Sequence, residues 1–123
     1  MSCYNKTIGN YGENLSLKHL IKNNYKILDT NFRTSYGEID IVATINNIIV
    51  FLEIKSRYTD SFGKAIESIT YYKQKQIIKL TKYYIHRYNL YNYNVRYDII
   101  EVYFNNRNNL YKLNHIIDAF RTY

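Results

Sequence analysis

Apolar residues recur with two different periods along the first half of the chain, and each period predicts a different element. In residues 12–24 the spacing is helical, with Leu17, Leu20 and Ile21 in one apolar stripe. Glu13 lies four residues before Leu17 and therefore shares the inward face of this helix. The pattern predicts a first helix that carries a carboxylate among its buried positions.

Three strand-like segments follow this helix and are joined by short turns. They are residues 25–32, 38–45 and 48–57, with turns at Ser35-Tyr36-Gly37 and Asn46-Asn47. Ile27 and Leu28 are expected to face the core from the first strand. The third strand is apolar at both parities from Ile48 to Leu52, as expected of a central strand covered on both faces. Because the connections are short, we predict an antiparallel meander.

The second half of the chain predicts a long helix and two further strands. The segments are residues 65–89 for the helix, in one piece or two, 95–104 and 110–114 for the strands, and 116–120 for a short helical cap. Lys73 falls on the apolar stripe of the long helix, four residues from Ile69 and Ile77. A connection that contains a helix permits a parallel crossover. We therefore expect a single domain over residues 1–123 with an α/β fold, a mixed sheet of about five strands flanked by helices.

Charge adds a candidate partner to this fold. The chain has 17 basic and 10 acidic residues, a net charge of +7, and no carboxylate between Glu67 and Asp98. The basic residues in that span are Lys73, Lys75, Lys79, Lys82, Arg87 and Arg96. Such a block is typical of a surface that binds a polyanion, with nucleic acid the first candidate and an acidic membrane surface the second. A solvated basic helix face without a partner is the alternative.

Composition argues against several other classes of protein. The only cysteine, Cys3, cannot form an internal disulfide, which is typical of the reducing cytoplasm. The longest apolar run, residues 48–52, is far shorter than the roughly 20 residues of a membrane span, and the N-terminus lacks an apolar signal segment. We expect a soluble cytoplasmic protein without membrane insertion. His19, His86 and His115 have no metal-type spacing and are interpreted as ordinary surface or core residues.

The candidate chemistry lies between residues 37 and 57, where charged side chains interrupt two apolar strands. If the hairpin turns at the Asn-Asn pair, Asp40 lies opposite Glu53, because both are equally far from the turn. Strand alternation places Lys55 on the same face as Glu53. Two carboxylates held this close repel each other, and one pKa rises unless a cation lies between them.

A divalent metal ion would relieve this repulsion. Magnesium takes oxygen ligands and is typically held by one or two carboxylates together with phosphate oxygens and water. Lys55 adds a positive charge beside the site, where it would hold or deprotonate a water and stabilise charge that develops on a phosphate. The alternative is a cross-strand salt bridge of Lys55 with Asp40 or Glu53 that only fixes the register.

These residues carry a resemblance to a known family. The chain resembles the YraN-like family of small predicted endonucleases, within the restriction-endonuclease-like, or PD-(D/E)xK, superfamily that also includes archaeal Holliday-junction resolvases. The resemblance covers about residues 9–104, in the segments GNYGENLSLKHLIKNNYKIL, NFRTSYGEIDIVA, FLEIKSR, FGKAIESI, YYKQKQIIKLTKYYI and VRYDIIEV. The proline that gives the superfamily its name is absent, since Ile39 precedes Asp40, but that proline is not essential to the chemistry.

By position, the resemblance implies roles for individual residues and a restriction-endonuclease-like fold. Asp40 and Glu53 would be ligands of Mg²⁺ or Mn²⁺, and Lys55 would be the catalytic lysine. Glu13 matches the helical glutamate that contributes to the metal site in resolvase-like members. The positions that match basic or polar ones facing DNA are Arg57, Lys73 and Gln76. Asp98 also fits the family pattern and is interpreted with Arg96 as a structural pair on the fourth strand.

We therefore expect a metal-dependent endonuclease that hydrolyses DNA phosphodiester bonds, acting on branched or damaged DNA in recombination or repair. Asp40 and Glu53, with the Ile54 carbonyl, would hold the ion, and residues 73–87 would hold the phosphate backbone without reading sequence. The alternatives are a non-catalytic nucleic-acid-binding accessory module of nuclease fold, and RNA in place of DNA. A homodimer is expected by analogy, because cutting both strands of a junction needs two active sites.

Overall fold

A computed structural model describes residues 3–58, 70–105, 107–108 and 110–121, which form a five-stranded sheet between two helices. In chain order the elements are α1 (Cys3–Lys22), β1 (Lys26–Thr34), β2 (Gly37–Ile45), β3 (Ile48–Tyr58), α2 (Tyr71–Tyr88), β4 (Asn94–Phe104) and β5 (Tyr111–Phe120). The strands lie in the order β1-β2-β3-β4-β5. β3 and β4 are parallel, and every other neighbouring pair is antiparallel. The predicted α/β fold with a mixed sheet and an N-terminal meander is confirmed.

Each face of the sheet is covered by one helix, because successive residues of the central strands point to opposite sides. Under α1 the buried apolar residues are Leu20, Tyr25, Ile41, Ala43, Val50, Leu52, Ile100 and Val102. Under α2 they are Phe32, Ile39, Val42, Ile49, Phe51, Ile77, Leu80, Tyr84 and Tyr97. Each fully buried side chain of this kind contributes roughly 1.5–3 kcal/mol. The predicted burial of β3 on both faces is confirmed, and it makes β3 a rigid support for the polar residues that follow.

Local capping sets the ends of α2. Thr70 precedes the first turn, and its Oγ1 accepts a hydrogen bond from the Lys73 N–H at 3.1 Å. The helix ends where Asn89 takes a left-handed conformation with φ 53°, which asparagine tolerates better than most residues. The predicted helix is confirmed from Tyr71 onward, and its first residues, 65–69, lie outside the described part of the chain.

The predicted helical cap at residues 116–120 is wrong, because these residues continue β5. Ile116 pairs with Ile99 and Phe120 pairs with Tyr97, on either side of a bulge. Asp118 has φ 57° within this bulge. The periodicity of so short a segment cannot distinguish a bulged strand from a helical turn.

Two apolar residues that were assigned to the core are on the surface. Ile21 is 62% exposed, because α1 turns Leu20 rather than its neighbour toward the sheet. Leu28 is 38% exposed at the register shift between Ile27 and Asp29 in β1. Within the described residues, neither helix is long and apolar enough to cross a membrane.

Candidate functional site

The β2–β3 hairpin positions the candidate carboxylates. Its ladder runs from Ile45–Ile48 to Ile41–Leu52, which confirms the predicted register. Asp40 and Glu53 are the next positions in that register, where the ladder ends. Beyond it, β2 pairs only with β1 and β3 pairs only with β4, so the sheet divides into two arms at the carboxylate pair.

At the point where β2 and β3 separate, the Asp40 side chain makes a hydrogen bond to β3 in place of the backbone ladder. Its Oδ2 accepts a hydrogen bond from the backbone N–H of Ile54 at 2.8 Å, so the side chain bridges the two arms. The neighbouring Glu53 is 8% exposed and follows Phe51 on the α2 face of the sheet. The two carboxylates therefore lie on neighbouring strands, Asp40 on β2 and Glu53 on β3, at the point where these strands separate.

Two lysines neutralise part of this charge. Lys73 Nζ, from α2, lies 2.8 Å from Glu53 Oε1, and Lys55 Nζ lies 3.5 Å from the same oxygen. The predicted placement of Lys55 and Glu53 on one face is confirmed, and their contact is one of the two salt bridges that the register-fixing alternative named. Lys73 was predicted to face DNA, and the structure shows that its ammonium group is already an ion-pair partner of a candidate metal ligand.

The pKa values of Asp40, Lys55 and Lys73 show that the two lysines neutralise the carboxylates only in part. Burial, and then the charge of Glu53, raise the pKa of Asp40 to about 7, although the hydrogen bond from the Ile54 N–H opposes the shift. Burial also lowers the pKa of Lys55, and Lys73 adds to this effect while Glu53 opposes it. For Lys73, burial is outweighed by its contacts with Glu53, and the pKa is raised. The Asp40 carboxyl group is therefore only partly ionised near neutral pH.

Glu13 approaches this site from α1. The helix crosses close to β3 at Gly12, where a Cβ atom would lie only 1.8 Å from Ser56 Oγ. Glu13 Oε1 accepts a hydrogen bond from Asn31 Nδ2 at 2.8 Å, and its charge adds to the rise in the Asp40 pKa. Within the described residues, no three His, Cys, Asp or Glu side chains lie close enough to hold a metal ion. The role of Glu13 as a metal ligand therefore stays a prediction.

A cavity of about 200 Å³ opens beside the carboxylates. It is lined by Tyr36, Gly37, Glu38, Glu53, Lys73, Gln76, Ile77 and Leu80. The predicted DNA contact Gln76 lies in its wall, where its Nε2 donates to the Tyr72 hydroxyl at 3.3 Å. Arg57 lies on β3 beyond Lys55 and is half-buried. The structure therefore gathers Lys73 and Gln76 around Glu53, with Arg57 further along the same strand.

Sequence reasoning missed one buried carboxylate near the site. Glu101 is 4% exposed, and its Cα pairs with that of Lys55 in the parallel β3–β4 ladder. Paired residues of neighbouring strands point to the same face, so Glu101 lies on the face of Lys55. The Tyr103 hydroxyl donates a hydrogen bond to its Oε2. Only the register of the crossover could have placed it there, and that register cannot be read from a local turn.

A second charged cluster, which we call the Asp98 cluster, lies under α1. The side chain of Asp98 is fully buried, and its two oxygens lie 2.8 Å from Arg96 Nη2, 2.7 Å from His115 Nε2 and 2.9 Å from the Asp118 N–H. The predicted Asp98–Arg96 pair is confirmed. His19 Nε2 lies 3.1 Å from His115 Nδ1, across 96 positions of sequence. No spacing pattern in the sequence links residues so far apart, so this contact could not be predicted.

Comparisons with known proteins place the chain among a group of close relatives. The model of a family described as "Uncharacterised protein family UPF0102" matches residues 12–102. A UPF0102 protein of Clostridium botulinum (strain Alaska E43 / Type E3) is 54% identical over 99% of this chain and 100% of its own length. One from Clostridium perfringens (strain SM101 / Type A) is 53% identical over 98% and 99%, respectively. One from Caldanaerobacter subterraneus subsp. tengcongensis is 44% identical over 94% and 95%. These names state no activity.

Proposed function

The chain belongs to the uncharacterised protein family UPF0102, and we propose that it is a metal-dependent endonuclease that hydrolyses DNA phosphodiester bonds. The observation that carries the proposal is the carboxylate pair Asp40 and Glu53 where the sheet divides, with two lysines beside it. A carboxyl group whose pKa is raised to about 7 by partial burial and by a neighbouring carboxylate is typical of a functional site. Family membership agrees with the YraN-like resemblance, and nuclease activity is the step that we add.

The donor set fits Mg²⁺ or Mn²⁺. Asp40 Oδ2 accepts the hydrogen bond from the Ile54 N–H, so Oδ1 would be the atom that binds the metal ion. Glu53 would supply a second carboxylate ligand. The Ile54 carbonyl is a third oxygen at the same place on β3. One or two carboxylates, completed by water and substrate phosphate, is the usual complement of Mg²⁺. When bound, such an ion supplies a Lewis acid for the phosphoryl oxygen and an activated water.

The lysines act on the water and the phosphate. Lys55 is half-buried and burial lowers its pKa, so it can orient an attacking water and gives up a proton more readily than an exposed lysine. Lys73 keeps 37% of its side chain exposed while it is paired with Glu53. When another cation neutralises Glu53, Lys73 is free to turn to a phosphate oxygen of the substrate, where its charge stabilises the transition state.

The outer face of α2 would hold the nucleic-acid backbone. Lys75 and Lys79 are exposed on this helix, and their ammonium groups lie over the rings of Tyr71 and Tyr36 at 4.6 and 4.4 Å from the ring centroids. A basic helix of this kind contacts phosphates without reading base sequence. A net charge of +7 favours this association and makes it dependent on salt. Cutting both strands of a junction would require a homodimer on the DNA.

One observation favours a second candidate, a nucleic-acid-binding module without turnover. Lys73 Nζ lies 2.8 Å from Glu53 Oε1, as expected of a permanent counter-ion. In that case the lysines replace the metal ion, and the carboxylates only order α2 against β3. The two candidates differ in whether divalent ions bind at Asp40.

The deciding experiment is a cleavage assay on labelled branched, flapped, single-stranded and duplex DNA, and on RNA, with and without Mg²⁺ or Mn²⁺. We expect metal-dependent cleavage by the wild type and a loss of roughly 10²–10⁴-fold in rate for Asp40→Asn. Asp29→Asn, an isosteric change on β1 outside the site, is the matched control and should cleave normally. Equal inactivity of the wild type and Asp40→Asn on every substrate, with nucleic acid still bound, would leave the binding module as the function.

A further inference from the structure

We propose that the cavity beside Glu53 holds one unpaired nucleobase of the bound strand. The cavity lies between α2 and the start of β2, and it shares Glu53 and Lys73 with the candidate metal site. A base in the cavity would therefore belong to a nucleotide whose phosphate is next to that site. This inference rests on the proposed function and deepens it, because it names the substrate class as strands that can present an unpaired base.

The size of the cavity suits one base. Its volume of about 200 Å³ is smaller than the ~300–1,000 Å³ of pockets that bind drug-sized ligands. Gly37 has φ 142°, a conformation that favours glycine, and an added Cβ would lie 3.5 Å from Leu80 Cδ1. Both residues line the cavity, so a side chain at this position would narrow it. A planar ring system fits the remaining space, whereas a complete nucleotide does not.

The walls are built for a flat, partly apolar group. Ile77 and Leu80 are buried and form an aliphatic wall on α2. Tyr36 lines the cavity from the turn before β2 and is 55% exposed, and Lys79 Nζ lies 4.4 Å from the centroid of its ring. One ammonium group covers at most one face of a ring, so this exposure leaves ring surface available to a base. An aromatic ring presented in this way is a stacking platform for a base of any sequence.

The charges of the cavity argue against a phosphate as its occupant. Among the described lining residues, Glu38 and Glu53 carry carboxylates, and the ammonium group of Lys73 is paired with Glu53 at 2.8 Å. Glu38 is paired with Arg33 at 2.7 Å. Carboxylate oxygens accept hydrogen bonds from the N–H groups of bases, and the Gln76 amide can donate and accept. A neutral base matches this set, whereas a phosphate would be repelled.

Base unpairing then determines which nucleic acids are good substrates. A base must leave its stack to enter the cavity, and this costs least where it is already unpaired or mismatched. Flaps, junction branch points and single strands satisfy this condition, whereas an intact duplex does not. Selection by structure instead of sequence follows, because stacking on Tyr36 does not distinguish one base from another.

The test is binding in the absence of divalent ions, which separates the cavity from catalysis. A fluorescein-labelled single-stranded oligonucleotide is compared with the same backbone built from abasic nucleotides, and dissociation constants are measured by fluorescence anisotropy. We expect the wild type to bind the base-containing strand roughly 5- to 100-fold more tightly than the abasic strand. Tyr36→Ala should lose most of this ratio, whereas Tyr36→Phe, which keeps the ring, should retain it.

Tyr91→Ala is the control, because Tyr91 is 63% exposed and does not line the cavity. It should leave the ratio unchanged. An equal ratio in the wild type and Tyr36→Ala would overturn the cavity proposal, as would a wild type that does not distinguish the two strands. A full ratio combined with no metal-dependent cleavage would instead refute the nuclease proposal alone, so the two failures are distinguishable.

Discussion

A fully buried aspartate, Asp98, and a half-buried one, Asp40, have opposite electrostatic surroundings. Asp98 accepts hydrogen bonds from Arg96, from His115 and from the Asp118 N–H. Burial alone would raise its pKa, but these hydrogen bonds outweigh burial and the pKa is lowered. The charge of Asp98 is therefore fully compensated within the fold, as a structural carboxylate requires.

Asp40 has the reverse balance. It accepts the Ile54 N–H, but carboxylates surround it, and its pKa is raised to about 7 by burial and by Glu53, with smaller effects of Glu38 and Glu13. Burial is common to both aspartates, so burial does not identify function. The absence of a compensating charge around Asp40 does indicate function, because a charge that the fold leaves unneutralised is available to an ion or a substrate.

The largest expected effect is on stability, at Asp98. Asp98→Ala removes a fully buried carboxylate and leaves the half-buried Arg96 guanidinium without its partner, and we expect the free energy of unfolding to fall by about 3–5 kcal/mol. Urea denaturation at neutral pH measures it. Because the folded pKa of Asp98 is lowered, its contribution is present above the ordinary pKa of 3.8 and is lost as the pH falls below that value. A change below about 1 kcal/mol would remove the contrast between the two aspartates.

Asp40→Asn should change stability in the opposite direction. A folded pKa raised from 3.8 to about 7 means that stability is greatest below the unfolded pKa and falls as the pH rises through about 7. At pH 8 the amide should therefore stabilise the protein, by roughly 1–4 kcal/mol, at 1.4 kcal/mol for each pKa unit. At pH 4 the two proteins should be equally stable. Destabilisation by Asp40→Asn at both pH values would show that the carboxylate is structural.

The third expected effect is the response to metal ions. If Asp40 and Glu53 bind Mg²⁺ or Mn²⁺, either ion should stabilise the wild type at pH 8 by about 2.7 kcal/mol when its concentration is a hundred times its Kd. Thermal denaturation with and without the ion measures the shift. Asp40→Asn should lose this shift, whereas Tyr91→Ala should keep it. An equal shift in Asp40→Asn would place the ion elsewhere.

The site was predictable from sequence where it depends on local geometry. A two-residue turn determines the register of a hairpin. Because Asp40 and Glu53 are the same number of residues from the Asn-Asn pair, the sequence predicts that they lie opposite each other. The alternation of side chains likewise placed Lys55 beside Glu53. The β5 error shows the limit of this reasoning, because the bulge at Asp118 is stabilised by its N–H bond to Asp98, a residue on another strand.

The contacts between distant segments required the structure. Lys73 reaches Glu53 only because α2 packs on β3. The periodicity of a crossover helix does not predict the angle at which it packs on the sheet. The contact of His19 with His115, and the position of Glu101 beside Lys55, depend in the same way on how α1 and β4 meet the rest of the sheet.

The sequence by itself determined the order of the elements, the hairpin register and the identity of the paired carboxylates, because turn chemistry and side-chain alternation act over a few residues. Only the tertiary structure decided which charges are compensated. The energy by which one charge stabilises another depends on the distance between them in space and not on their separation along the chain. For that reason the fold, and not the sequence pattern, distinguishes Asp98, whose charge is compensated, from Asp40, whose charge is not.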